Sequence, residues 1–137
     1  MGQQQLLLII LGVIIVGIAV AVGITMFQDN AVDQNRSAVI ADLTTLSAKA
    51  QQYYAKPTTL GGGGNSFVGL TADAPGLALL ASTSFTTNAN GTYSVSVAGT
   101  ATNVTLKGIG TTALSDGTFP TYTMLVSAQT QVPTKVN

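Results

Sequence analysis

Two helical patterns run end to end along the first third of the chain, and the alternation of strands follows. After Gln3, Gln4 and Gln5, residues 6–27 form an apolar run broken only by Gly12, Gly17, Gly23 and Thr25. From Val32 the pattern changes. Val32, Val39, Leu43, Leu46, Ala50 and Tyr53 recur at spacings of seven, four, three, four and three, with Asp33, Gln34, Arg36, Asp42, Thr45, Lys49 and Gln52 between them. Spacings of three and four mark one face of a helix. No proline precedes Pro57, so the two patterns predict one helix over residues 3–54, roughly 78 Å long at 1.5 Å per residue. The first half is apolar all round and must be surrounded; the second carries a single apolar stripe, and Asp29 and Asn30 mark the change. Pro57 disfavours helix at Lys56 and ends the element.

Beyond Pro57 the signals are shorter. Gly61, Gly62, Gly63 and Gly64 are consecutive. A phosphate-cradling loop would need a preceding strand and a Gly-Lys-Ser/Thr ending, and both are absent, so this run reads as a flexible connector or a tight surface loop. Residues 74–81 predict a short helix over one end of a sheet, with Asp73 as candidate N-cap. Strands are expected at 92–98, with Tyr93, Val95 and Val97 on one face, at 101–107, with Val104 and Leu106, and at 121–128, with Tyr122, Met124 and Val126. Gly99-Thr100 suits a tight hairpin between the first two, and 67–70 adds a short edge strand. The fold class is α+β: a long N-terminal helix, apolar then amphipathic, packed on a small antiparallel sheet. The stripe and the apolar sheet face cover each other, since neither is satisfied alone. The regions are 1–30 (apolar half), 31–56 (amphipathic half), 57–91 (Gly-rich connection with a short helix) and 92–137 (sheet).

Composition narrows the function. The chain has 137 residues, with five Lys+Arg against five acids, all of them Asp, and 7% charged residues. Nucleic-acid binding needs clustered Lys and Arg, so no nucleic-acid partner is expected. There is no Cys and no His. Without His, Cys or Glu no nucleophile–base pair can be assembled, so an enzyme, a cofactor and a small-molecule substrate are not expected. Asp73 and Asp116 are too few for calcium, which takes six to eight oxygens, and Asp116-Gly117-Thr118 reads as a turn. Phe27, Tyr53 and Tyr54 read as packing residues rather than a conducting stack. Asn35-Arg36-Ser37, Asn90-Gly91-Thr92 and Asn103-Val104-Thr105 match the N-glycosylation sequon. Asn35 falls on the helix, a poor acceptor position, which leaves Asn90 and Asn103 as candidate acceptors; O-linked sugar would equally suit so weakly charged a surface.

A cleaved signal needs a cationic start and a shorter apolar core, whereas about 20 apolar residues suffice for a transmembrane helix. With its polar start, unbroken apolar helix, amphipathic continuation and small β region, the chain resembles the type IV pilins and pilin-like proteins, with a class III-type N-terminal helix. The likeness is specific over about the first 55 residues. It implies a structural subunit, anchored in the inner membrane before assembly and handled by a pilus assembly machinery. The product would be a homo-oligomeric helical filament on the cell surface. The packing residues of its core would be Leu6, Leu7, Leu8, Ile9, Ile10, Leu11, Gly12, Val13, Ile14, Ile15, Val16, Gly17, Ile18, Val20, Gly23, Ile24 and Phe27. The three glycines would serve close helix packing in preference to local unwinding. Val32, Val39, Leu43, Leu46, Ala50 and Tyr53 would form the helix-to-sheet contact.

Two features depart from the family. Its glutamate near the start of the mature helix, thought to pair with a neighbour's amino terminus, is replaced by Gln5, or by Leu7 if Met-Gly is removed. Gln3, Gln4 and Gln5, backbone carbonyls or N-methylation would then share the registration of the terminus. The family's basic leader ending in Gly is matched only by Met1-Gly2: a leader trimmed earlier, a minimal remnant and an uncut start all fit. A minor pilin or secretion pseudopilin shares the same plan, and a single-pass membrane protein with a β binding module is the reading from another class.

Overall fold

The computed structural model describes residues 2–82 and 85–137; Met1, and with it the question of the leader, lies outside the described residues. The fold is α+β. Helix α1 (Gly2–Ala55) runs unbroken for 54 residues, about 81 Å. It is followed by α2 (Ala74–Leu80) and by a four-stranded sheet of β1 (Gly91–Val97), β2 (Asn103–Gly110), β3 (Thr121–Ser127) and β4 (Gln131–Lys135). The sheet is an antiparallel meander in the order β1-β2-β3-β4.

The second half of α1 crosses the sheet over β2 and β3, while α2 covers β1. Val39, Leu43, Leu46 and Ala50 are fully buried and share one core with Tyr93, Val95, Val104, Leu106, Met124 and Val126. Fully burying a side chain such as Leu43 or Leu46 stabilises the fold by about 1.5–3 kcal/mol. Two glycines of β2 let the helix come close. A Cβ on Gly108 would lie 2.9 Å from the Val39 side chain, and one on Gly110 would lie 2.1 Å from Asn35 Oδ1.

The end of α1 is closed by its own connection. The last carbonyls of a helix have no intrahelical donors. Here the Gly-rich run turns back and supplies them: Gly63 N–H donates to Tyr53 O (2.8 Å), Asn65 N–H to Tyr54 O (2.7 Å) and Gly64 N–H to Lys56 O (2.9 Å). A Cβ on Gly62 would meet Lys56 O at 2.2 Å, so the approach requires glycine. The run is a tight cap rather than a flexible connector.

Several expected details differ. Residues 67–70 form a turn, not an edge strand. Phe67 and Leu70 both enter the core, a spacing that strand alternation forbids, and Gly69 takes φ +107°. Gly99-Thr100 is not a two-residue hairpin. β1 and β2 are joined by residues 98–102, where Thr100 Oγ1 accepts from the Thr102 and Asn103 amides and a Cβ on Gly99 would meet Phe67 O at 1.9 Å. Val97 does not share the inner face with Tyr93 and Val95, because a register shift between Val95 and Val97 turns it outward, 56% exposed. Asp73 precedes α2 but makes no capping bond with its side chain; its N–H pairs with Val95 O instead. β4 was not expected from the sequence. It holds Pro133, which an edge strand tolerates because no ladder bond is lost on its open side.

Candidate functional site

The surface that sets this chain apart is the first half of α1. Every large hydrophobic side chain from Leu6 to Phe27 is between 51 and 79% exposed. The candidate packing residues Leu6, Leu7, Leu8, Ile9, Ile10, Leu11, Val13, Ile14, Ile15, Val16, Ile18, Val20, Ile24 and Phe27 all lie on it and touch no other part of the chain's core. A Cβ added at Gly12, Gly17 or Gly23 would meet nothing within 4 Å. The helix passes through all three without a break. Thr25, the polar residue within the run, donates its hydroxyl to Val22 O at 2.8 Å, so the side chain is satisfied inside the helix. Gln3, Gln4 and Gln5 lie exposed in its first turn. The helix is long and apolar enough to cross a membrane: an 18-residue window of it has a mean hydropathy of 3.2 and is 0% buried.

Charge begins where this surface ends. Asp29 and Asp33 precede Arg36, whose Nη1 bridges to Asp33 Oδ1 at 3.1 Å. Together with Val32, Leu114 and Ser115 they line a groove of about 320 Å³ at the foot of the β region. Val32 is buried here and lies outside the main core cluster. At the other end of the stripe, Tyr53 leans on Gly63 and Gly69, donates to Val68 O at 3.2 Å and packs, half-buried, against the shared core. Phe27 stands 79% exposed, away from Tyr53 and Tyr54, while Tyr54 rests on Phe67 with ring centroids 4.8 Å apart.

Three polar residues fix how the second half is held. Asn35 Nδ2 donates to Asn90 O (2.8 Å), and its Oδ1 accepts from Thr111 N–H (3.1 Å). Asp42 Oδ2 accepts from Tyr93 Oη–H (2.7 Å) and from the side-chain amides of Asn88 and Asn90 (2.9 Å each). Gln51 Nε2 donates to Ser127 O (3.1 Å), and its Oε1 accepts from Gln131 (3.2 Å). Burial alone would raise the Asp42 carboxyl, but the hydrogen bonds from Tyr93, Asn90 and Asn88 outweigh it and hold it below the usual aspartate value. Burial first, then the bond to Asp42 and its charge, push the Tyr93 phenol far above its ordinary range. One signal for Asn35 was present in the sequence: the seven-residue gap between Val32 and Val39 has position 35 on the same face.

Among the described residues no group of three or more His, Cys, Asp or Glu comes together. Asp116 closes a turn, its Oδ1 accepting from the Thr118 hydroxyl (2.7 Å) and amide (2.9 Å). No protein-family model, curated protein or solved structure matches the chain.

Proposed function

We propose that this chain is a structural subunit of an extracellular filament of the type IV pilus kind. Its first helical half is a membrane anchor before assembly and the core of the polymer afterwards. The observation that carries this reading is the contrast within α1: residues 6–27 are exposed on every side, yet continue without a break into a helix locked onto a folded β region. A helix apolar all round needs an apolar surrounding. Lipid meets that need first and identical helices meet it later. Lipid is already apolar, so the gain on assembly comes from packing and small residues rather than from transfer out of water. The β region would face outward and the stripe beneath it would stay shielded. The partners in this reading are further copies of the chain, the inner membrane and an assembly machinery.

The test is electron microscopy of fibres sheared from the cell surface, with mass spectrometry of their protein. Fibres composed mainly of this chain are the expected result. Recovery of the chain only as detergent-soluble membrane monomer, with no fibre containing it, would overturn the proposal.

A further inference from the structure

Three sequons occur in the chain, and the fold treats their asparagines differently. Asn35 is 9% exposed, with its Nδ2 donating to Asn90 O. Asn90 Nδ2 donates to Asp42 Oδ2. A sugar on either nitrogen would replace one of its two N–H hydrogens and push bulk into the contact between α1 and the β region. Asn103 is built the other way round. It opens β2, is half-buried like Asn90, and is met at its oxygens: Thr100 Oγ1 lies 3.1 Å from both Asn103 Oδ1 and Asn103 O and shares its one proton between them. An N-linked sugar leaves both oxygens free to accept, so the turn survives the modification.

The position also suits the group. Asn103 pairs with Ser127, whose carbonyl receives the Gln51 amide, so it lies beside the far end of α1. Gln51 is 24 residues past Phe27, about 36 Å along the helix. Thr105, two residues on, shares Asn103's outer sheet face. Through the strand register it belongs to a cross-strand row with Val97, Leu125 and Val132, which are 56, 44 and 50% exposed. A glycan rooted at Asn103 would lie beside this row and screen it from water, on a face whose one charge is Lys107.

We propose that Asn103 is the N-glycosylation site of this chain, and that Asn35 and Asn90 are unmodified. The donor class is an oligosaccharide linked through pyrophosphate to a membrane lipid. Asn103 Nδ2 attacks the anomeric carbon; the C1–Nδ2 bond forms as the C1–O bond to pyrophosphate breaks. The amide proton is lost to solvent and the lipid pyrophosphate leaves. The inference requires the β region to be exported but does not require a filament.

The test is site-localised mass spectrometry of the full chain from its producing cells, alongside Asn103→Gln and Thr105→Ala variants. The expected result is a glycan increment on Asn103 that disappears completely in both variants, with Asn35 and Asn90 unmodified. Thr105→Ala keeps the asparagine, so loss of the increment there reports sequon recognition and not a change of fold. An unmodified Asn103 in the parent chain, or sugar on Asn35 or Asn90, would overturn the proposal.

Discussion

Val16 and Leu43 lie on the same unbroken helix, yet only Leu43 has its partners within the chain. Leu43 is fully buried against the sheet, and Val16 is 62% exposed. The two halves of α1 have the same backbone hydrogen bonding, so helix formation does not distinguish them. What differs is where their apolar surface goes. The second half is satisfied by the chain's own β region and is fastened at three levels by Asn35, Asp42 and Gln51. Among the described residues the first half has no such fastening, and in the proposed reading it takes its surroundings from lipid and then from other copies. If the chain assembles as proposed, folding and assembly are assigned to different stretches of one element, and substitutions should separate them.

The largest expected effect falls on the exposed half. Leu11→Asp or Val16→Asp should abolish fibres outright, because a charge buried in an apolar bundle has no partner. Thermal unfolding of the β region, followed by the near-ultraviolet signal of its tyrosines in detergent, should be unchanged. Abundant stable fibres from either variant would dissolve the distinction between the halves. The mirror experiment is Leu43→Ala, which should cost the fold about 2–5 kcal/mol, measured by denaturant unfolding of the same detergent-solubilised chain.

Smaller effects sharpen how the second half is held. Gly110→Ala places a Cβ against Asn35 Oδ1 and should destabilise by about 1–3 kcal/mol through overpacking. Asp42→Ala leaves the Tyr93 hydroxyl and two side-chain amides without their acceptor, a loss of about 1–3 kcal/mol. The pH dependence has a definite sign. The folded Asp42 carboxyl lies below its ordinary value of 3.8. Its contribution is therefore present above that value and is lost as pH falls through the lower, folded one. The parent chain should lose stability in that acid window, and Asp42→Asn should flatten the slope. Asp116, also lowered by its bonds to Thr118, will leave a residual slope in the variant. An unaltered slope in Asp42→Asn would show that the carboxylate does not fasten the helix.

The halves of α1 also differ in how far the sequence revealed them. The helix was legible to within a residue at each end, because hydropathy, the three-and-four spacing and Pro57 are all local signals. So was the α+β class, from the alternation around Tyr93, Val104 and Met124. The misses share one cause. Asn35, Asp42 and Gln51 are polar positions whose partners lie 46 to 80 residues away, and no local pattern tells such a clamp from a solvated side chain. The glycine run was legible as a loop, but its use as a helix cap depends on carbonyls that only the folded chain presents. Val97 was assigned to the wrong face because the register shift that turns it outward is a property of the β1–β2 pair. β4 was hidden by Pro133, which argues against a strand until the edge position is known.

The most direct measurement uses the absence of cysteine from the chain. Pairs of cysteines, one fixed at Leu11 and the second placed in turn along residues 16–27, are oxidised in sheared fibres and resolved by non-reducing electrophoresis, because neighbours in a helical polymer set different positions opposite each other. Leu11→Cys with Thr45→Cys, on the exposed side of the docked half, is the control. If the first half is covered by copies of itself, disulfide-linked multimers will form where the second position faces a neighbour's residue 11, while the control stays monomeric. Monomer for every pair, in fibres that do contain the chain, would contradict the central claim.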